Sequence, residues 1–99
     1  MAAPFLSHAG KLHVYFVYIL VCKKTGRSYV GQTDNLLRRF QKHREGSSRW
    51  TREKLVEPFM AYWEAYPNRK EAMRRERYYK AGSGHRLRLE LIGKALAAR

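Results

Sequence analysis

Residues 14–31 read VYFVYILVCKKTGRSYVG, and the fold turns on how this stretch pairs with itself. From 14 to 21 every residue is β-branched, aromatic or leucine, a short run suited to a buried strand rather than a helix. Lys23, Lys24, Thr25 and Gly26 read as a turn. Residues 27–33 carry Ser28, Tyr29 and Val30 before Gly31, which predicts a second strand returning as a hairpin. A turn of that length opposes Cys22 to Arg27, Leu20 to Tyr29 and Tyr18 to Gly31, and opposed residues share a sheet face. Tyr18 and Tyr29 then become diagonal neighbours on one face, with Gly31 leaving space beside the first phenol. Core packing with satisfied hydroxyls is the competing reading of such a pair.

Working outward, Thr33 or Asp34 is expected to cap a helix in which Leu36, Leu37 and Phe40 recur at helical spacing and which ends before Gly46. Residues 47–55, with Trp50 among charges, suit a short helix or an ordered loop. Pro58 admits a third strand over 59–65. Pro67 and Asn68 start a second long helix that runs to about Ala81. Gly82, Ser83 and Gly84 stop it, and 86–97 form a last helix. Residues 1–13 follow no sustained period and read as an irregular arm before one domain over 14–99. The class is α+β, a three-stranded antiparallel sheet flanked by helices.

Lys and Arg number 21 against 8 Asp and Glu in 99 residues, a formal charge of +13. Such a field draws polyanions, and nucleic acid is favoured over an anionic membrane because the longest apolar run cannot span a bilayer. A hydrophobic fraction of 44% can bury a small core without metal or disulfide staples. Cys22 is the single cysteine, so no intramolecular disulfide forms and a reducing, cytoplasmic location is expected. No Cys/His spacing resembles a zinc site, no glycine-rich loop a phosphate-binding loop, and no nucleophile elbow is visible.

Two features on the helices could carry chemistry. Arg39 and His43 stand four apart, on the stripe that Leu36 ties to the core; arginine offers a planar fork to phosphate oxygens, and imidazole can move a proton near neutrality. A solvated basic face is the competing reading. On the second long helix, Ala72, Met73, Glu76 and Tyr79 share a stripe expected to face inward. A carboxylate there requires a partner, either Lys80 one turn on or a divalent cation held by one carboxylate plus waters.

Tyr18 after Val17, and Tyr29-Val30-Gly31 eleven residues later, resemble the GIY-YIG endonuclease signature. Arg39 and His43 after Asn35, the Trp50-Thr51-Arg52 segment, and Glu71 through Glu76 with Lys80 are similar to its small single-domain bacterial branch, over about residues 14–90. The resemblance implies that Tyr18, Tyr29, Arg39, His43 and Glu76 converge on one phosphate. It makes Glu76 the anchor of one divalent cation, Mg2+ or Mn2+. Arg39 would steady the scissile phosphate, Tyr18 activate water, and Tyr29 and His43 position or relay the proton. Phe16 stands where the signature has glycine, Val17 and Val30 stand for isoleucine, and an asparagine found beyond the glutamate helix in several branches has no counterpart. The expected function is metal-dependent endonuclease activity on DNA. A non-catalytic nucleic-acid-binding module and an RNA-associated accessory protein are the alternatives.

Overall fold

The computed structural model describes residues 14–45 and 57–98. The expected N-terminal arm and the Trp50 segment lie outside the described residues. The elements are β1 (Tyr15–Cys22), β2 (Ser28–Thr33), α1 (Leu36–Arg44), β3 (Pro58–Tyr66), α2 (Arg69–Tyr78) and α3 (Gly82–Ala97). The sheet is antiparallel, as the sequence predicts, and its order is β2-β1-β3. The hairpin register is also the predicted one: Tyr18 opposes Gly31 and Leu20 opposes Tyr29, while the Cys22 amide donates to the Arg27 carbonyl at 2.8 Å.

β1 reads as a continuous apolar run because it is the central strand and both of its faces are covered. Val17, Ile19 and Val21 project toward Ala72 of α2, Tyr79 at its C-cap and Ile92 of α3. Tyr18, Leu20 and Cys22 project the other way, against Leu36 and Phe40 of α1 and Met60 and Trp63 of β3. Each fully buried Val, Ile or Leu contributes about 1.5–3 kcal/mol, so this strand anchors both layers. Among the described residues no helix is long and apolar enough to cross a membrane.

Four local expectations change. α1 is capped by Asn35, whose Oδ1 accepts from the Arg38 amide at 3.1 Å; Thr33 Oγ1 instead accepts from the Asn35 amide and sets up the turn before it. Leu37 is 82% exposed although it keeps the helical spacing, because Leu36 and Phe40 already fill the side that meets the sheet. α2 ends at Tyr78, and α3 begins at Gly82 instead of Arg86. Gly82, at φ +60°, reverses the chain, and Gly84 enters the next helix where a Cβ would overlap the carbonyl of Tyr78. Met73 is 41% exposed, so the inward stripe of α2 is centred on Ala72 and Tyr79.

Two glycines of α3 should respond oppositely to alanine. Gly93→Ala, where an added Cβ meets nothing, should stabilise by about 0.5–1 kcal/mol through helix propensity. Gly84→Ala should cost about 1–3 kcal/mol, since the overlap outweighs the same gain. Urea midpoints of the two proteins moving in the same direction would contradict this packing.

Candidate active site

The face of the sheet covered by α1 brings four of the five expected residues together. Tyr18 leaves the central strand and is 1% exposed, so its hydroxyl needs partners inside the protein. It finds His43 Nε2 at 2.9 Å and receives a long hydrogen bond from Arg39 Nε at 3.4 Å. Both partners come from α1, where a four-residue separation places them on one stripe above the phenol. Tyr29 completes the group from β2, with its ring 4.7 Å from the His43 ring and 6.1 Å from that of Tyr18. Its phenol is a further hydrogen-bond neighbour of Tyr18 and Arg39.

Gly31 makes this arrangement sterically possible. A Cβ there would stand 2.5 Å from the Tyr18 hydroxyl and 2.8 Å from the Tyr29 ring. The predicted space beside the first phenol is thus taken up by the two aromatic rings.

Electrostatics fix the protonation states. His43 is 5% exposed, and burial followed by the Arg39 charge lowers its pKa to about 4, so the imidazole is neutral at pH 7. Burial also pushes the Tyr18 phenol well above its ordinary range, outweighing the opposing hydrogen bond from Arg39. Arg39 is held charged by its bond to that phenol. The Tyr18 oxygen already accepts from Arg39. With the ring proton on Nδ1, His43 Nε2 accepts from the Tyr18 hydroxyl; with it on Nε2, the direction of that bond reverses.

A histidine buried as the neutral base makes stability fall with acid. The unfolded chain, with an ordinary imidazole, binds the proton first, so the stabilisation is present above about pH 6.5 and is lost as pH falls toward 4. Roughly 2–3 kcal/mol should be lost from this group over that window. His43→Gln should flatten the corresponding part of the stability profile in urea titrations at stepped pH. An unchanged slope would contradict a buried neutral imidazole.

Glu76 is not joined to the four by a hydrogen bond. It belongs to α2, which covers the opposite face of the sheet, and its Oε2 accepts from Lys80 Nζ at 2.8 Å. Its place on the helix is nevertheless informative. Seven residues before it, close to two whole turns, Arg69 leaves the same flank of α2 and donates to Gln32 of β2 at 3.1 Å. That flank therefore runs along the β2 edge, the strand that carries Tyr29 and Gly31 on its other side. Among the described residues no cluster of three or more metal-type ligands occurs. The carboxylate donor itself fits a hard cation: its side chain is 23% exposed and Lys80 engages only one of its two oxygens.

The acid buried by its surroundings is a different one, Glu64 of β3, which residue pattern did not single out. It accepts from Tyr62 (2.8 Å), Tyr66 (2.6 Å), Tyr79 (3.0 Å) and Arg75 Nε (2.7 Å) beneath α2. Burial alone would raise its pKa, but these bonds hold it below the usual carboxylate range. No strand-level signal marks this residue, because an irregularity in β3 changes its facing. Ile19 opposes Tyr62 and Leu20 opposes Met60, so Ala61 is extra, and the alternation beyond it is inverted.

The model of the GIY-YIG catalytic domain matches residues 14–87. The UPF0213 protein of Halalkalibacterium halodurans is 41% identical over 63 residues, which are 63% of this chain and 65% of that protein's length. No solved structure matches.

Proposed function

This chain belongs to the GIY-YIG catalytic domain family, and from that premise we propose that it is a divalent-metal-dependent endonuclease hydrolysing phosphodiester bonds in DNA. One observation carries the proposal: the buried hydrogen-bonded sequence Arg39–Tyr18–His43, in which a cation, a phenol and a neutral imidazole meet. A packing role for Tyr18 would need one satisfied hydroxyl bond, and it does not call for an arginine and a histidine on the same oxygen.

The proposed mechanism relays two protons and neutralises one developing charge. A water hydrogen-bonded to the Tyr18 oxygen loses its proton to that oxygen as it bonds to phosphorus, the phenolic proton passes to His43 Nε2, and the bond from phosphorus to the leaving sugar oxygen breaks, that oxygen taking its proton from solvent. The high pKa of Tyr18 makes a free phenolate costly, which favours the two transfers occurring together. Arg39 uses Nε on the Tyr18 phenol, is a hydrogen-bond neighbour of Tyr29, and offers its remaining N–H donors to the phosphate oxygens, where charge accumulates in the transition state. Tyr29 packs on the imidazole and holds its plane. Glu76 would hold the divalent cation, Mg2+ or Mn2+, which when bound supplies Lewis-acid stabilisation of the phosphate.

Substrate binding also adjusts the base. The second cause of the lowered His43 pKa is the charge of Arg39, and a phosphodiester anion on that arginine cancels it. The His43 pKa is expected to climb from about 4 toward its ordinary value when a metal-free oligonucleotide is added, as followed by NMR of the ring protons. No movement on saturation would remove Arg39 from the phosphate.

The direct test incubates the protein with branched, single-stranded and duplex DNA, and with RNA, with and without Mg2+ or Mn2+. Metal-dependent cleavage of DNA is the expected result. Binding without cleavage under every condition would favour the second reading, a non-catalytic nucleic-acid-binding module. The ion pair that engages Glu76 with Lys80 supports that second reading.

A further inference from the structure

We propose that the cleft beside the first turns of α1 is a second phosphate site, seating the backbone phosphate next to the scissile one on the same nucleic-acid strand. The proposal rests on the nuclease reading above and extends it. The cleft has a volume of about 240 Å³ and is bounded by Thr33, Asp34, Asn35, Arg38, Arg39 and Lys42. That volume is below the range of pockets that enclose whole drug-sized ligands, and it suits a phosphate with its waters more than a nucleobase.

The charge in the cleft points to the ligand. Arg38 and Lys42 are four apart, so they share a stripe, and like charges at that spacing repel unless an anion lies between them. Among the described residues the first turn of α1 contains no acid to offset them. Asp34 is the single carboxylate on the wall, and it is drawn into an ion pair with Arg69 at 3.9 Å. The helix terminus itself adds little, since Asn35 already accepts from the Arg38 amide. The ligand is therefore held by side-chain cations.

Position selects a neighbouring phosphate of the same strand. Arg39 borders this cleft and also bonds the Tyr18 hydroxyl, so the two sites share one residue and are contiguous. A strand whose reacting phosphate lies on Arg39 carries its next phosphate past Arg38 and Lys42.

The test uses the whole chain without metal. Thymidine oligonucleotides with one and with two phosphodiesters are titrated into the natural protein and into Arg38→Gln/Lys42→Gln, with binding followed through the amide shifts of α1. The natural protein is expected to bind the two-phosphate ligand roughly fivefold to tenfold more tightly, and the double variant to bind both as weakly as the shorter one. On a longer duplex the slope of log K against log salt should fall by about one. A control removing two charges from α3, Arg86→Gln/Lys94→Gln, should keep the preference for the longer ligand. If both double variants lose that preference equally, or the α1 variant keeps it, the residues act only through the summed field and the site is overturned. Inorganic phosphate binding as tightly as the two-phosphate ligand would also overturn it, as a free-anion site. Absence of metal-dependent cleavage would remove the nuclease reading but leave this binding preference measurable, so the two failures are distinguishable.

Discussion

Glu76→Gln should abolish metal-dependent cleavage while leaving a folded protein that still binds nucleic acid. The substitution keeps the size of the side chain and removes the charge that would hold a cation. Losing several kcal/mol of Lewis-acid stabilisation corresponds to about 10³-fold or more in rate. The cost to stability should be small: the pair with Lys80 is part exposed, with Lys80 at 50%, and such pairs contribute about 0–1 kcal/mol. Affinity measured without metal should hold or rise, because a negative charge near phosphate is gone. Lys80→Met separates the two roles of Glu76. It breaks the same ion pair but leaves the carboxylate, so it should retain cleavage and tighten Mn2+ binding measured by electron paramagnetic resonance. Full metal-dependent cleavage by folded Glu76→Gln protein, or equal loss of cleavage in both variants, would remove Glu76 as the metal anchor.

The largest stability effect is expected on the opposite face of the sheet. Glu64→Leu removes the acceptor of three phenols and a guanidinium, leaving Arg75 without its carboxylate. Removing one partner of a buried pair costs about 3–5 kcal/mol; Arg75, with a side chain 31% exposed, can turn partly to water, so the lower end applies. Against a total of about 5–15 kcal/mol, this is a large share, and the melting temperature should drop by about 12 °C or more. Glu64→Gln keeps an acceptor oxygen and should lose about half as much. Cleavage per folded molecule should be unchanged in either variant, because Glu64 touches none of the four clustered residues. An unshifted melting temperature for Glu64→Leu would show that the phenols and Arg75 find equally good partners elsewhere.

These two glutamates also mark what sequence could reveal. The hairpin was legible because a turn ending in Gly26 fixes the register, and register alone then sets Tyr18 opposite Gly31 and diagonal to Tyr29. Spacing on α1 was legible because four residues return a helix to the same side, which puts Arg39 and His43 on one stripe; that the stripe lies over the phenol followed only from the family resemblance. The role of Glu64 was not legible. Strict alternation puts it in phase with neighbours that one extra residue, Ala61, has shifted, and only the pairing of β3 with β1 exposes the shift. The start of α3 was hidden for a related reason. A Gly-Ser-Gly run reads locally as a break, whereas here Gly84 is required by the nearby Tyr78 carbonyl inside a helix. For Glu76, helix periodicity identified the flank but could not rank Lys80 against a cation.

The two-sided burial of β1 has a consequence for how the protein can change over generations. Odd-numbered residues 17, 19 and 21 serve the layer stabilised by Glu64, and even-numbered residues 18, 20 and 22 serve the layer holding Tyr18 and His43. Substitutions whose side chains share no partners combine additively, so the layer holding Tyr18 and His43 can be altered without compounding losses in the other one. A single-residue insertion within β1 has the opposite character. It would swap the inheritance of the two layers at a stroke, carrying the phenol into the aliphatic side and the aliphatic residues to the side of His43. The central strand therefore tolerates replacement of its residues better than a change in its length.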